Sequence, residues 1–256
     1  MLFILSPAKR IISSEYGNAS RSHSQPDLVL HAAKLVSLLK SYSPNQLSDL
    51  LKVSDQLAVL NAGRYAEWSV DHSPENSRQA IFSYDGDVYR GLNPQTFDDL
   101  QLDYAQRHVR VLSGLYGILR PLDLIQPYRL EMGTRMPNPC GNSLYAFWRS
   151  LITNGIQKEF ERQGTSVLVN LASDEYARAI DPKRLDASLV TPLFQEWHGG
   201  KWEIIPIHAK RARGLMARYA IINRIDNVEM LKAFDSEGYA YDQASSDAGN
   251  WVFRRR

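Results

Sequence analysis

The segment LSGLYGILRPLDLIQPYRLEMG, residues 112–133, combines residue types that rarely occur together. Three glycines, two prolines, two arginines and two carboxylates are interspersed among large apolar side chains. A core helix avoids glycine and proline, whereas an exposed loop avoids leucine, isoleucine and tyrosine. We therefore predict that this segment holds a fixed backbone path, which functional sites require more often than plain scaffolding does.

The composition predicts one globular domain spanning residues 1–256. The chain is 44% hydrophobic and 23% charged, so it can bury a substantial core. No apolar run approaches the roughly 20 residues that span a bilayer, so no membrane partner is expected. The start MLFILSPAK has no basic residues before its apolar run, and Cys140 is the single cysteine. Both features predict a protein of the reducing cytoplasm.

Basic residues are concentrated in two neighbourhoods of a chain whose net charge is only +2. The first, residues 105–135, contains Arg107, Arg110, Arg120, Arg129 and Arg135. The second, residues 201–224, contains Lys201, Lys210, Arg211, Arg213, Arg218 and Arg224. So small a net charge does not identify a nucleic-acid binder, and any basic surface must be local.

Helices are indicated by periodicity and by capping residues. Leu28, Ala32, Leu35 and Leu39 recur at helical spacing, and a longer pattern runs from Ser143 through Phe160 and stops at Gly164. Ser43-Pro44, Ser54 and Ser73-Pro74 each provide an N-cap, two of them with proline at the first helical position. Helices are therefore predicted to begin at these three serines as well.

Short apolar runs with strand character lie between the helices, at residues 2–5, 109–112, 167–171 and 202–208. Continuous apolar strands separated by helices predict a mixed α/β fold with a central sheet covered by helices. A polar turn follows each strand. If the strands run parallel, the four turns converge on the rim where open α/β sheets bind ligands.

The sequence KRARG, residues 210–214, is the most basic of these turns. Apolar residues from Leu215 onward predict a helix that begins here, which would place Lys210, Arg211 and Arg213 at its N-terminal end. Cations at that end oppose the helix dipole. An anion held by helix N–H groups and basic side chains offsets this cost, so we predict an anion site. For Ser173 and Asp174, in the turn after residues 167–171, capping of the next helix is an equally good interpretation.

Six motifs in order resemble the YaaA family of peroxide stress proteins along nearly the whole chain. They are SPAK at 6–9, GDVYRGL at 86–92, the segment 112–133, LYAFW at 144–148, NLASDEY at 170–176 and AKRARGLMARY at 209–219. One position departs from the family pattern, because Arg10 stands where threonine is usual. The resemblance implies a cytoplasmic protein that helps cells survive hydrogen peroxide by limiting free iron and protecting DNA. It also implies a family-specific mixed α/β fold that binds DNA through a helix-hairpin-helix beside a positively charged cleft.

A glycine-containing turn of a helix-hairpin-helix presents backbone N–H groups to a phosphate. Gly114–Gly117 is the segment that we predict as this turn. Duplex or branched DNA would then be bound without sequence preference, with a log-log salt slope of about −4 for about four phosphates. The predicted phosphate-binding residues are Lys9, Arg110, Gly114, Gly117, Arg120, Arg129, Lys210, Arg211, Arg213 and Arg218.

The alternative function is that of an enzyme acting on a phosphorylated or nucleoside-like small molecule. Its predicted pocket at the strand ends contains Ser6, Tyr128, Glu131, Asp174 and Glu175, which offer carboxylates for acid or base chemistry beside cations for an anionic group. No nucleophile elbow, phosphate loop or metal motif defines a reaction, so no catalytic residue is assigned.

Four side chains of the segment 112–133 have two open interpretations each. Arg129 and Glu131, two residues apart, form either a structural ion pair or part of a site. Tyr128, like Tyr116, either stacks on bases or lies in the core. The six histidines share no metal-ligand spacing, so no metal or cofactor is expected and any effect on iron would be indirect. The sequence leaves the oligomeric state open.

Overall fold

The computed structural model describes residues 1–12 and 22–256. The strands are β1 (Leu2–Leu5), β2 (Arg10–Ile11), β3 (Arg78–Gln79), β4 (Tyr84–Asp85), β5 (Val109–Ser113), β6 (Gly117–Leu119), β7 (Leu124–Ile125), β8 (Val167–Leu171), β9 (Ser188–His198), β10 (Lys201–Glu203), β11 (Ala240–Tyr241) and β12 (Asn250–Arg255). The α-helices are α1 (Val29–Leu39), α2 (Pro44–Leu51), α3 (Asp55–Glu67), α4 (Ala80–Ser83), α5 (Asp87–Leu92), α6 (Asp99–His108), α7 (Leu144–Gln163), α8 (Asp174–Ala177) and α9 (Pro206–Ile222). Short 3-10 helices cover Pro94–Thr96, Pro182–Arg184, Val228–Ala233, Ser236–Gly238 and Gln243–Ser245.

Within the described residues, eight strands form one mixed sheet in the order β11-β12-β9-β8-β1-β5-β6, with β10 paired to β9. The five strands from β12 to β5 run parallel, whereas β6, β10 and β11 are antiparallel to their neighbours. Leu5 at the end of β1 is level with Leu171 of β8 and Val111 of β5. The chain thus has the predicted mixed α/β fold with a central sheet.

Helices cover both faces of the sheet. Successive side chains of a strand point to opposite faces, and every residue of β1 and β5 is buried. Helices α6 and α9 pack together against the sheet, and α7 packs against β6. No helix in the described part of the chain has both the length and the apolar character needed to cross a membrane.

Most predicted helices and strands are confirmed. The strands at 2–5, 109–112 and 167–171 are present, and α1, α2, α3 and α7 form where periodicity and caps predict them. Ser43 forms a capping box with Gln46, and Gly164 ends α7 in the left-handed conformation. The helix predicted at Ser73-Pro74 is wrong, because residues 74–76 form a turn that leads into β3.

The strand predicted at residues 202–208 is confirmed only for residues 202–203 and is wrong for the rest. Strand β10 stops at Glu203, and Pro206 occupies the first turn of α9. Proline cannot donate to a sheet ladder, and its fixed φ suits the first helical position. Because α9 begins at Pro206, Lys210 lies in its second turn. The predicted anion site at a helix N-terminus is therefore not formed by Lys210, Arg211 and Arg213.

The turn at Gly114–Gly117 does not belong to a helix-hairpin-helix, which corrects the prediction for this segment. It joins β5 to β6, two antiparallel strands of the central sheet. Strand β5, which leads into the turn, is buried. Leu115 and Tyr116 of the turn are fully buried as well. The backbone N–H groups of this turn therefore do not face solvent.

Helices α5 and α9 approach each other at two glycines. A Cβ on Gly91 would overlap the backbone carbonyl oxygen of Arg211, and one on Gly214 would overlap that of Val88. Only glycine permits so close an approach of two helices. The motifs GDVYRGL and AKRARGLMARY are thus in direct contact, and this contact sets the position of the basic residues of α9.

Candidate functional site

Two polar turns meet at the carboxyl ends of the central strands β1 and β8. The connection from β1 leads to β5 on one side, and that from β8 leads to β9 on the other. Open α/β sheets bind ligands at such a point. Ser6 Oγ donates to Ser173 Oγ at 3.2 Å and accepts from the Ser173 N–H at 2.9 Å. The predicted convergence of turns is therefore confirmed for β1 and β8, whereas the turn after β5 is buried and does not line the rim.

A cavity of about 400 Å³, here called the deep pocket, opens at this rim. It is lined by the turns after β1 and β8, the start of α5, residues 128–131 and one side of α9. It brings together eight residues that the sequence singled out, namely Ser6, Lys9, Tyr128, Arg129, Glu131, Glu175, Lys210 and Arg213. Asp174, the remaining predicted pocket residue, is exposed and does not line the pocket.

Tyrosine rings form much of the apolar wall of the deep pocket. The Tyr128 hydroxyl is 2.8 Å from the Tyr84 hydroxyl and 2.7 Å from Ser113 Oγ. Burial raises the pKa of Tyr128 to about 12, so this side chain is neutral near pH 7. The Tyr89 hydroxyl donates to the Ser6 carbonyl at 3.1 Å. Because these hydroxyls form hydrogen bonds with the surrounding protein, the tyrosine rings are held in place.

Arg129 and Glu131 form an ion pair that also lines the deep pocket. Arg129 Nη2 is 2.7 Å from Glu131 Oε1, and Nη1 donates to the Lys9 carbonyl at 3.2 Å. Arg129 Nε is buried and has no hydrogen-bond partner among the described residues. The structural and the site interpretations of this pair are thus compatible with each other.

Three cations of the deep pocket have no ion-pair partner within residues 1–12 and 22–256. Lys9 and Lys210 are exposed, whereas Arg213 is half-buried. Burial lowers the pKa of Arg213, and the charge of Asp174 partly opposes this shift. These three side chains are positioned to bind a negatively charged group.

Two shallower depressions of about 660 and 560 Å³ continue from the deep pocket. The first shares Lys9, Arg129, Glu131 and Glu175 with the deep pocket and adds Lys52 and Arg135. The second adds Arg178. Together the three are lined by nine basic and five acidic residues. We call this continuous surface the basic groove, and its main cations are Lys9, Lys52, Arg129, Arg135, Arg178, Lys210 and Arg213.

The family model for the peroxide stress protein YaaA matches residues 1–245. The chain belongs to the YaaA family. It is 53% identical to a UPF0246 protein of Paraburkholderia phytofirmans over 258 residues, covering 100% of this chain and 99% of that protein. UPF0246 proteins of Paraburkholderia xenovorans and Ralstonia pickettii are each 52% identical, over 258 and 260 residues, with the same coverage.

Two arginines of the first basic neighbourhood are used for packing in this YaaA family member. Arg110 is 5% exposed, and its Nη2 is 3.0 Å from Glu159 Oε2. Arg120 Nε pairs with Asp123 Oδ1 at 3.0 Å. Neither side chain lines the basic groove, so the structure does not bring them to the residues with which the sequence grouped them.

Two arginines of the second neighbourhood also bond within the fold. Arg211 Nε donates to Glu237 Oε1 at 2.8 Å. Arg218 Nη1 donates to the Asn93 carbonyl at 3.1 Å, and its guanidinium lies over the Phe97 ring. On helix α9, therefore, only Lys210 and Arg213 of the four predicted phosphate-binding residues reach the groove.

The glycines of the segment 112–133 have a packing role in this YaaA family member. A Cβ on Gly114 would overlap the Leu130 carbonyl oxygen, so the segment folds back onto its own beginning. Gly117 has φ +73°, and a Cβ there would lie 2.7 Å from the Trp148 ring. Tyr116 accepts hydrogen bonds from Trp68 Nε1 and the Gln126 N–H, which assigns it to the core. The unusual composition thus brings residues 128–131 onto the wall of the deep pocket.

Sequence reasoning missed part of the groove. Arg10 pairs with Asp85 at 3.2 Å across the rim, and Arg90 of the GDVYRGL motif lies 3.8 Å from the same carboxylate. That motif was the available signal for Arg90 and, directly before it, for Asp85. Lys52 and Arg178 are surface residues without a local motif. No three His, Cys, Asp or Glu side chains of the described residues are arranged to hold a metal ion.

Proposed function

We propose that this YaaA family member binds DNA along the basic groove, through backbone phosphates and without sequence preference. The observation that carries the proposal is that Lys9, Lys210 and Arg213, which come from two motifs, lie on one open surface without an ion-pair partner among the described residues. Phosphate contacts of this kind position DNA without reading its bases. Nine basic against five acidic lining residues favour a polyanionic partner.

A helical hairpin beside the groove supports the same proposal. Helices α2 and α3 pack against each other and are joined by residues 52–54. The end of α2 from Asp49 to Leu51 and the following Lys52 line the groove, and Lys52 has φ +52°. We propose that this hairpin, and not the Gly114–Gly117 turn, contacts DNA as the helix-hairpin-helix that the family resemblance implies.

The family assignment connects the protein with peroxide stress. We propose that DNA binding in the cytoplasm limits the damage that free iron and peroxide cause to DNA. Any effect on iron is then indirect. A titration with ferrous iron tests this part, because tight stoichiometric binding would contradict it.

The test is a fluorescence anisotropy titration of duplex, single-stranded and branched DNA at several salt concentrations. The variant carries Lys9→Ala, Lys210→Ala and Arg213→Ala. The matched control carries Lys34→Ala, Lys158→Ala and Lys183→Ala, which removes the same charge from exposed residues outside the groove. Thermal unfolding verifies that both variants are folded.

Wild-type protein should bind with a log-log salt slope of about −4. The groove variant should lose most of this affinity and flatten the slope by about 3, while the control variant should bind nearly as wild type does. Equal loss in the two variants would mean that only net charge matters. Absence of wild-type binding would reject the proposal.

A second candidate function is an enzyme acting on a phosphorylated or nucleoside-like small molecule. The observation in its favour is that Ser6, Lys9 and Glu131 share the deep pocket, where a carboxylate lies near cations. The pocket opens into the groove and excludes Asp174, which favours the DNA proposal. Incubation with nucleosides and nucleotides, with product analysis, tests this candidate, and turnover that is lost in Glu131→Gln would support it.

A further inference from the structure

The guanidinium of Arg213 is the strongest indication of an anion-binding site in the deep pocket. It is half-buried, and no hydrogen bond or ion pair engages it in residues 1–12 and 22–256. Removing a cation from water is costly unless an opposite charge compensates it. Asp174 is electrostatically close but forms no ion pair with it. A negatively charged ligand would compensate the charge of Arg213.

Further cationic side chains line the same pocket. Arg129 is one of them, although its two terminal nitrogens are already bonded to Glu131 and to the Lys9 carbonyl. Lys9 and Lys210 add two ammonium groups at the pocket opening. Arginine forks and lysines together are the usual protein ligands of a phosphate group.

The remaining walls suit a flat, partly polar group. The rings of Tyr89, Tyr128 and Tyr176 are buried and line the pocket. Fixed aromatic faces stack well on nucleobases of any sequence. Hydrogen-bonding groups are provided by the Ser6 and Ser173 hydroxyls and by the Glu175 carboxylate. A site with phosphate ligands at its mouth and aromatic walls inside matches one nucleoside phosphate unit.

The size of the pocket distinguishes one nucleotide from a paired strand. At about 400 Å³, the cavity is within the range of small-ligand sites. A base pair within a stacked duplex is too large for it, so a base can enter only after leaving the stack. The pocket lies at one end of the groove that we propose for DNA, and it shares Lys9 and Arg129 with the shallower part.

We propose that the deep pocket receives a single nucleotide turned out of a DNA strand that lies in the basic groove. This inference rests on the proposed function. It makes the groove selective for DNA in which one nucleotide leaves the stack easily, since a mismatched nucleotide costs less to extrude than a paired one.

The experiment compares a matched duplex with one that contains a central mismatch, with 2-aminopurine at the mismatched position. Wild-type protein should bind the mismatched duplex at least about tenfold more tightly and change the 2-aminopurine fluorescence. Arg213→Leu should abolish both the preference and the fluorescence change. Lys52→Leu, in the groove but outside the deep pocket, should weaken both complexes equally and keep the preference. Arg213→Gln provides a second, neutral variant if Arg213→Leu unfolds.

The outcomes separate the two proposals. Equal wild-type affinity for matched and mismatched duplexes, with unchanged fluorescence, would overturn the nucleotide pocket and leave DNA binding intact. Absence of DNA binding would overturn both. Deoxynucleoside 5′-monophosphates form a third arm. If they bind in an Arg213-dependent manner while no mismatch preference exists, the pocket takes a free nucleotide, and extrusion from DNA is rejected.

Discussion

Arg110 and Arg213, one from each basic neighbourhood of the chain, differ in how their charge is neutralised. Arg110 in residues 105–135 is buried and has its own carboxylate, Glu159. Arg213 in residues 201–224 is partly buried but has no ion-pair partner among the described residues. Breaking a buried ion pair is costly, because it leaves one charge buried without compensation. A partly buried charge without a partner destabilises the fold, so its presence indicates a role other than stability. The difference distinguishes arginines that stabilise the fold from arginines that are positioned to bind a ligand.

The comparison is tested most strongly by Arg110→Met. This change keeps an apolar stem but leaves Glu159 without one of its partners and removes the hydrogen bonds from Arg110 Nη1 to the carbonyls of Gln106 and Val109. We expect a loss of about 3–5 kcal/mol in the free energy of unfolding, measured by urea denaturation.

Arg162→Met is the matched control for that change. Arg162 also pairs with Glu159, but its side chain is 61% exposed. The expected loss is below about 1 kcal/mol, because exposed ion pairs contribute little. Equal losses in the two variants would show that burial of Arg110 adds nothing to the pair.

The next largest effect is expected for Gly91→Ala, which tests whether close packing holds the unpaired cations over the deep pocket. The new Cβ would overlap the Arg211 carbonyl, and its distance to the Leu215 nitrogen would be 3.0 Å. Overpacking of this kind costs about 1–3 kcal/mol. Gly63→Ala, in α3 with nothing within 4 Å, should instead raise stability by about 0.5–1 kcal/mol. Similar urea midpoints in the two variants would contradict the proposed packing constraint.

The contribution of Glu159 to the stability of the fold should also depend on pH. Burial alone would raise the pKa of Glu159, but hydrogen bonds from Arg162, Gln163 and Arg110 lower it from 4.5 to about 2. A carboxyl with a lower pKa in the folded state stabilises the fold above its unfolded pKa, and this contribution is lost as the pH falls. The stability gap between wild type and Glu159→Gln should therefore narrow from pH 5 to about pH 2 in urea denaturation. A gap that is constant over this range would contradict the shifted pKa.

The elements that could be predicted are those whose pattern lies within a short stretch of the sequence. Strands β1, β5 and β8 were predictable because each is a continuous apolar run, and α7 was predictable from its serine cap and terminal glycine. Strand β9 was missed, because it alternates buried and half-exposed residues and contains Pro192. The run at residues 202–208 was predicted as a strand although it contains Pro206, and proline is also typical of a first helical turn.

The partners of charged residues were the least predictable part of the site. Arg129 and Glu131 are neighbours in sequence, so their pair could be anticipated. Glu159 and Glu237, which neutralise Arg110 and Arg211, lie 49 and 26 residues away from them in the chain. Only tertiary structure brings these carboxylates to their arginines. A basic motif therefore locates the candidates, and the fold decides which of them stay free.

Arg213→Leu should have the smallest effect on stability, in contrast to Arg110→Met. Leucine removes a partly buried cation that has no ion-pair partner in the described residues and keeps an apolar contact with the pocket wall. We expect the free energy of unfolding to stay level or to rise by up to about 1 kcal/mol, measured by urea denaturation at neutral pH. A loss above about 2 kcal/mol would show that Arg213 has a structural partner and belongs with the scaffold arginines. Unchanged stability together with lost DNA affinity would assign its charge to the ligand, because the fold alone then gains nothing from keeping it.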